Sequence, residues 1–424
     1  MSVVQSHPLR IRPNPARVVI RHFQVAGSRW PKPDPQARVR RIVEEVQAMD
    51  TRTIQSELSL VLGDFENRHR EVRQVFEERY DGIAQELGLS APLHDAERAL
   101  IGAYFCNEYS FESAALMNPS VVPHPDQSGL GERDLRFLLS LRAVGEGHIS
   151  SITFREGLLT AEGDIRLSED SHFAVAARPD TTEEGTVCLT RHPTAALDET
   201  VLFPVTAAQR NGLEDLRLLR FEADGEPPVY YGTYTAYSGT EIASELLVTR
   251  DFQRFEMHPL SGPAAQSKGM ALFPRQIDGG YAMIGRPDNE NLFLLRSDNL
   301  FHWEDGTRLA GPVYPWELVQ IGNCGAAIEI DEGWLVLTHG VGAMRKYAVG
   351  AMLLDKNDPA RVLGRSRVPL LSPSDAEREG YVPNVVYTCG ALVHAGLLLL
   401  PYGVADSSVA FATVKLTDLL ATLK

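Results

Sequence analysis

Val229-Tyr-Tyr-Gly-Thr-Tyr-Thr-Ala-Tyr237 is a run of β-branched and aromatic residues broken by one glycine. Such a run reads as a strand. Four more stretches share its character: Leu138-Leu-Ser-Leu-Arg-Ala-Val-Gly-Glu-Gly147, Tyr281-Ala-Met-Ile-Gly-Arg-Pro-Asp288, Trp334-Leu-Val-Leu-Thr-His-Gly-Val-Gly342 and Leu397-Leu-Leu-Leu-Pro-Tyr-Gly-Val-Ala-Asp406. The five lie roughly 50 to 90 residues apart. A second element recurs between them: Thr249-Arg-Asp-Phe-Gln-Arg-Phe255 resembles Arg296-Ser-Asp-Asn-Leu-Phe-His-Trp303. One β unit repeated at this period implies an all-β fold, a five-bladed β-propeller. An irregular all-β sandwich is the competing reading.

In a propeller the innermost strands line an axial channel, so chemistry is expected where they end. The ends here are Arg142, Tyr234, Arg286 with Asp288, His339 and Asp406. A polar ring of mixed charge suits a polyhydroxylated ligand.

Asn211-Gly212-Leu213-Glu214-Asp215-Leu216-Arg217 sets two adjacent carboxylates and an arginine between a turn signal and the apolar pair Leu218-Leu219. Neighbouring acids repel in low dielectric, so at least one should have a shifted pKa, as acid/base chemistry on sugars requires. An exposed acidic turn paired with Arg217 is the bland alternative.

Composition narrows the function. Of 424 residues, 44% are hydrophobic, enough for one large core or two smaller ones. A formal charge of −15 argues against non-specific binding to nucleic acid or anionic membrane. No window approaches the roughly 18 apolar residues of a membrane span, and the first residues carry no signal-peptide core. Cys106, Cys188, Cys324 and Cys389 are too far apart for a zinc motif or a disulfide framework, and a reduced cytoplasmic protein is expected. Glu146-Gly-His148 invites a metal reading, but no second His or Cys stands at ligand spacing, so no metal is expected.

Residues 1–117 read as an N-terminal extension, and 118–424 as the propeller. The extension begins with a strand in Arg17-Val-Val-Ile-Arg-His-Phe23 and an irregular segment, Ser28-Arg-Trp-Pro-Lys-Pro-Asp-Pro35. Helices follow: Val39, Ile42, Val43 and Val46, then Val72, Phe76, Tyr80 and Ile83, have helical spacing. A further helix from about Asp95 carries Leu100, Tyr104, Phe111 and Ala115 on one side. A complete propeller has no need of these stripes for its own core, so they are expected to form an oligomer interface or cap the channel, and a homo-oligomer is expected.

Several motifs stand in order along the chain: Asn118-Pro-Ser120, Gly212-Leu-Glu-Asp-Leu-Arg217, Lys268-Gly-Met-Ala-Leu-Phe-Pro-Arg275, Arg286-Pro287, Trp316-Glu-Leu-Val-Gln-Ile-Gly322, Gly333-Trp-Leu-Val-Leu-Thr-His-Gly340, Leu353-Leu-Asp355 with Asp358-Pro359, and Tyr381-Val-Pro-Asn-Val385. From about Asn118 to the C-terminus they give the chain a resemblance to glycoside hydrolase family 130, the β-mannoside phosphorylases and related β-mannosidases, which are five-bladed propellers. It implies an inverting phosphorylase that uses inorganic phosphate as co-substrate and no cofactor. Asp215 would be the general acid, acting through the mannosyl 3-hydroxyl. Lys268, Arg286 and His339 would hold phosphate, because a dianion is costly to desolvate without basic partners. Asn118, Arg142, Glu214, Arg217, Asp288 and Asp406 would bind substrate.

The chain departs from the family pattern in three places. Leu216 replaces the proline of its E-D-P-R motif, Gly269 a residue that is often polar, and Gln320 a lysine. The last departure keeps two alternatives open, a β-mannosidase on the same scaffold and a non-catalytic sugar-binding propeller. Each residue also has a plainer reading. His339 would be a core histidine, Arg286 the partner of Asp288, Lys268 simply solvated, and Trp316 and Tyr381 packing residues rather than sugar platforms.

Overall fold

The structure is a computed structural model that describes residues 3–27, 34, 36–90, 92–183 and 186–423. Most of the irregular segment expected at 28–35 lies outside the described residues. The chain divides into two compact units. One comprises residues 1–15, 111–170 and 177–424, the other 16–110 and 171–176.

The larger unit is mostly β. Among its described residues, antiparallel meanders follow one another along the chain. The first runs Ala115–Pro123, Leu135–Val144 and Ser150–Leu159; the second runs Gly212–Phe221, Val229–Tyr237, Ile242–Thr249 and Arg254–Pro259. These two join edge to edge at a single parallel pair, Gly212 with Ser150. Gly212 permits the approach, since a Cβ there would lie 2.8 Å from the Ser150 Cβ. The third meander is Ala271–Leu272, Tyr281–Gly285, Leu292–Ser297 and Thr307–Ala310, and the fourth Gln320–Asn323, Gly333–Val341, Tyr347–Leu354 and Val362–Arg365. The fifth contains Val386–Tyr387, Leu397–Val404 and Ser408–Lys415, with Val4–Ile11 as an added strand from the other end of the chain.

Strand alternation explains how the meanders pack. Side chains on successive residues face opposite sides of a sheet. Trp334 and Val336 pack with Ile284 and Leu294 of the third meander, while Leu335 and Leu337 pack with Leu398 and Leu400 of the fifth. Likewise Leu216 and Leu218 join a cluster with Leu138 and Phe154, and Leu219 and Phe221 one with Leu272 and Met283. The second, third and fourth meanders thus bury both faces against their neighbours in sequence. Between the ends of the series, the Leu116 amide donates to the Ser407 carbonyl at 3.1 Å, and the Cys389 amide to the Pro119 carbonyl at 2.8 Å.

The smaller unit carries the helices Ala37–Gln47, Thr51–Phe65, Val72–Leu87 and Asp95–Ala103, with Val18–His22 paired to Cys106–Ser110. Asp50 caps the second helix by accepting from the Thr53 amide at 2.8 Å, and Gly88 ends the third in a left-handed conformation. Two expectations need correction. The last helix stops at Ala103, so Phe111 and Ala115 are not on its face; the β-forming run after it pairs with Val18–His22 instead. And the stripe Val72, Phe76, Tyr80 and Ile83 is no exposed surface. All four residues are buried in this unit's own core with Val43, Leu58 and Leu100. Gly102 lets two helices touch, since a Cβ there would fall 1.8 Å from the Phe76 carbonyl oxygen. No helix among the described residues is long and apolar enough to cross a membrane.

Candidate active site

Two bulges build the centre of the site. In the second meander Glu214 pairs with Thr235 and Arg217 with Thr233, so one extra residue is accommodated on the Gly212–Phe221 strand. The first meander repeats this, with Met117 opposite Arg142 and Ser120 opposite Ser140. At the two bulges Asp215 and Asn118 take left-handed backbone conformations, φ 57° and 49°. Such bulges re-aim side chains, and here they turn the two toward each other. Asn118 Nδ2 donates to Asp215 Oδ1 at 2.7 Å.

Arg142 bridges both acids. Its Nη1 donates to Asp215 Oδ1 at 3.1 Å, its Nη2 to Glu214 Oε1 at 2.6 Å and its Nε to Ser150 Oγ at 2.9 Å. The acids therefore diverge. Burial pushes Asp215 upward, but the Arg142 charge, the Asn118 hydrogen bond and Lys268 outweigh it, and its pKa lies below the ordinary value. Glu214 is shifted up, by burial first and by the Asp215 charge. Asp406, also in a left-handed conformation, faces the same space, and burial and the Asp215 charge raise it to about 6.

The cations lie beyond Asp215. Arg217 is buried and committed: Nη1 donates to the carbonyls of Gly269 (2.7 Å) and Asn323 (3.3 Å), and Nη2 to the Tyr387 hydroxyl (2.6 Å). Gly269 takes φ +93°, which suits glycine and aims its carbonyl at Arg217. Ser267 Oγ donates to the Arg286 carbonyl at 2.9 Å, tying the Lys268 segment to the Arg286 strand end. Arg286 Nη1 lies 3.2 Å from His339 Nε2. A guanidinium only donates, so Nε2 accepts and the imidazole proton sits on Nδ1. Burial, Arg286 and Arg217 hold the His339 pKa well below its ordinary value, so this ring contributes position rather than charge. The Arg286 Nε is buried with no hydrogen-bond partner among the described residues.

These side chains line one cavity of about 210 Å³. Of the residues expected from the sequence, Asn118, Arg142, Asp215, Arg217, Lys268, Arg286, His339 and Asp406 line it, as does Gln320. Glu214 stands behind them through Arg142. Asp288 does not line it; its carboxylate accepts from the amides of Glu290 and Asn291 and from Asn291 Nδ2, closing a local turn. Tyr234 points the other way, its hydroxyl hydrogen-bonded to the buried Glu245, and Thr235 takes the cavity position. Arg345, Tyr347 and Tyr387 also line the cavity and were not read from the sequence. Arg345 packs over the Tyr347 ring, and Tyr347 stacks on His339. Trp316 is a packing residue, its ring 2.6 Å from where a Cβ at Gly340 would sit. The lining holds five basic and two acidic side chains, in a chain whose net charge is −15. The arrangement can hold an anion beside an aspartate within a hydrogen-bonding wall.

A mostly β fold thus surrounds a cation-rich, acid-bearing cavity. The family model of glycoside hydrolase family 130, described as beta-1,4-mannooligosaccharide phosphorylase, matches residues 191–424, and the chain belongs to that family. It is 34% identical over 231 residues to a beta-1,2-mannobiose phosphorylase of Listeria innocua, a match covering 53% of this chain and 63% of that protein. It is 31% identical over 233 residues to a 1,2-beta-oligomannan phosphorylase of Thermoanaerobacter, covering 53% and 75%. The solved structure of the Listeria innocua enzyme with beta-1,2-mannobiose superposes with a TM-score of 0.53 at 24% identity, covering 73% of this chain and 92% of that one. A family member described with hydrolases that target beta-1,2 mannosidic linkages superposes at 0.54 with 20% identity, covering 72% and 86%. At these identities the superpositions speak for the fold alone.

Proposed function

We propose that this protein is an inverting β-mannoside phosphorylase, cleaving a β-mannosyl linkage with inorganic phosphate to give α-mannose 1-phosphate. The observation that carries this is the cation excess around Asp215. Lys268, Arg286 and Arg345 line the cavity without an ion pair among the described residues, whereas Arg142 is engaged by carboxylates and Arg217 by carbonyls. A phosphate dianion fits that imbalance.

Asp215 is the acid in this reading, delivering its proton to the glycosidic oxygen through the mannosyl 3-hydroxyl, with phosphate attacking from the opposite face. An acid must be protonated, yet Asp215 is ionised in the field of Arg142, Lys268 and Arg217. Bound phosphate offsets that field and lifts the Asp215 pKa toward protonation, so the co-substrate arms the acid. The pair of divergent carboxyls Asp215 and Asp406 offers a nearby proton store. No step needs a metal or an organic cofactor. For the scaffold we propose a five-bladed propeller. The five meanders, their face-to-face cores and the Val4–Ile11 strand on the last sheet support it. The charged product does not cross membranes, which favours a cytoplasmic enzyme.

Gln320 favours the second reading, a β-mannosidase, because a neutral side chain lines the cavity where the family pattern has a lysine. Incubation with β-1,2- and β-1,4-linked mannobiose, with and without phosphate, followed by phosphorus NMR, separates the two. Phosphate-dependent α-mannose 1-phosphate supports the phosphorylase. Free mannose at a rate indifferent to phosphate refutes it.

A further inference from the structure

We propose that Tyr381 and His148 form the platform for the leaving sugar, the unit released from the mannosyl group; this rests on the mannoside reading above. Tyr381 is 49% exposed, an unusual setting for a tyrosine whose two ends are both held. Its hydroxyl lies 2.9 Å from His148 Nδ1, with the rings 5.9 Å apart, and its backbone amide donates to Ser407 Oγ at 2.6 Å. Ser407 follows Asp406, which lines the cavity. Gly380 allows this contact, since a Cβ there would meet Ser407 Oγ at 2.4 Å.

His148 is anchored as closely. It sits on the turn between the strand carrying Arg142 and the strand beginning at Ser150, whose hydroxyl accepts from Arg142. The turn has a twin. Gly145 (φ −107°, ψ −161°) matches Gly342 (φ −103°, ψ −164°), and the left-handed residues Gly147 and His148 match Met344 and Arg345. A left-handed backbone is strained for a histidine or an arginine, and such strain gathers at ligand sites. One twin presents Arg345 to the cavity, and the other presents His148 to Tyr381. The pair is therefore tied to the chain segments that carry Arg142 and Asp406, and Tyr381 is left half exposed. A hexose offers a C–H face to such a ring and hydroxyls to the polar groups beside it, and a ring already held in place loses little entropy on binding.

The test compares wild type with Tyr381→Ala, Tyr381→Phe and His148→Ala. In the synthetic direction, from α-mannose 1-phosphate and mannose, Tyr381→Ala should raise the half-saturating acceptor concentration by about tenfold, or about 1.4 kcal/mol. The value for α-mannose 1-phosphate should change by less than about twofold. Tyr381→Phe and His148→Ala, which keep the ring and lose its anchor, should show the same selective effect at smaller size. Equal effects on both substrates, or none on the acceptor, overturn the proposal. Calorimetric titration of β-1,2-mannobiose into each variant reads the platform without turnover. If wild type binds the disaccharide but makes no sugar phosphate, the phosphorylase reading has failed. The platform then stands or falls on whether Tyr381→Ala weakens that binding. Unchanged melting temperatures, expected at an exposed position, show that each variant folds.

Discussion

Replacing Asp406 by asparagine should make the protein more stable at neutral pH while impairing its activity. The Asp406 carboxyl is pushed from an ordinary 3.8 up to about 6, by burial and by the charge of Asp215, against the opposing pull of Arg142 and Arg345. A carboxyl whose folded pKa is raised binds its proton more tightly in the native state. Its contribution is neutral below the unfolded value, and stability is lost as pH rises between about 4 and about 6. Above that window the full cost is present. The rise is about two pK units at about 1.4 kcal/mol each, so the cost approaches about 3 kcal/mol at pH 7. Relaxation around the ionised group makes this an upper bound. Asparagine keeps the shape and lacks the charge. The assay is urea unfolding of wild type and Asp406→Asn at intervals from pH 4 to pH 8, without phosphate or sugar. The difference in unfolding free energy should be near zero at pH 4, grow through pH 5 and 6, and level off at about 1 to 3 kcal/mol in favour of the variant. A variant less stable than wild type at pH 7, or a difference that does not change with pH, would refute the reasoning. Activity should fall, because a strained carboxyl kept at a site against its own stability is kept for what it does there.

Asp215→Asn should lower turnover by about 10²–10⁴ with little change in melting temperature, since its amide oxygen still accepts from Asn118 and Arg142; near-normal turnover rules Asp215 out as the acid. Lys268→Ala and Arg286→Ala should raise the phosphate concentration for half-maximal rate far more than that of the mannoside, measured by initial rates on both substrates. His339→Ala should shift phosphate dependence in the same direction but less, because it acts through the Arg286 guanidinium. Trp334→Ala should cost about 3–5 kcal/mol in chemical denaturation, as Trp334 is fully buried against Phe273 and its Nε1 donates to the Lys356 carbonyl.

Much of the site was legible because its chemistry is written in short motifs. Glu214-Asp215 and Arg217 could be picked out as a strand-borne acid cluster, and Arg142, Arg286, His339 and Asp406 as strand ends. Asp288 and Tyr234 show where such reading stops. Strand alternation says that one of Tyr234 and Thr235 faces the cavity but not which, and the bond of Tyr234 to Glu245 marks its side; nor does alternation show the one-residue bulge between Glu214 and Arg217 that re-aims Asp215. A bulge has no reliable mark in a single sequence. Asp288 looked like a ring member beside Arg286, yet its carboxylate is satisfied within four residues by its own turn. Arg345 was missed because it sits on a turn past the end of its strand, where sequence spacing carries no facing information. The stripe on Val72–Leu87 has the helical period expected of it, but the period cannot name the partner, and the neighbouring helices of the same unit supply it.

By itself, then, the sequence determined what local rules govern: β-type repeats, helical stripes within residues 1–117, and an acid cluster followed by an apolar pair. Those features depend on residues within a few positions of one another. Only the tertiary structure decided the rest. It brought Val4–Ile11 beside Ser408–Lys415, some 400 residues away in sequence. It set Asn118 and Arg142 on Asp215, and it sent the pKa values of Asp215 and Asp406 in opposite directions. A carboxyl's charge state is the sum of its burial and every charge around it, and those neighbours come from strands that only the folded sheets bring together.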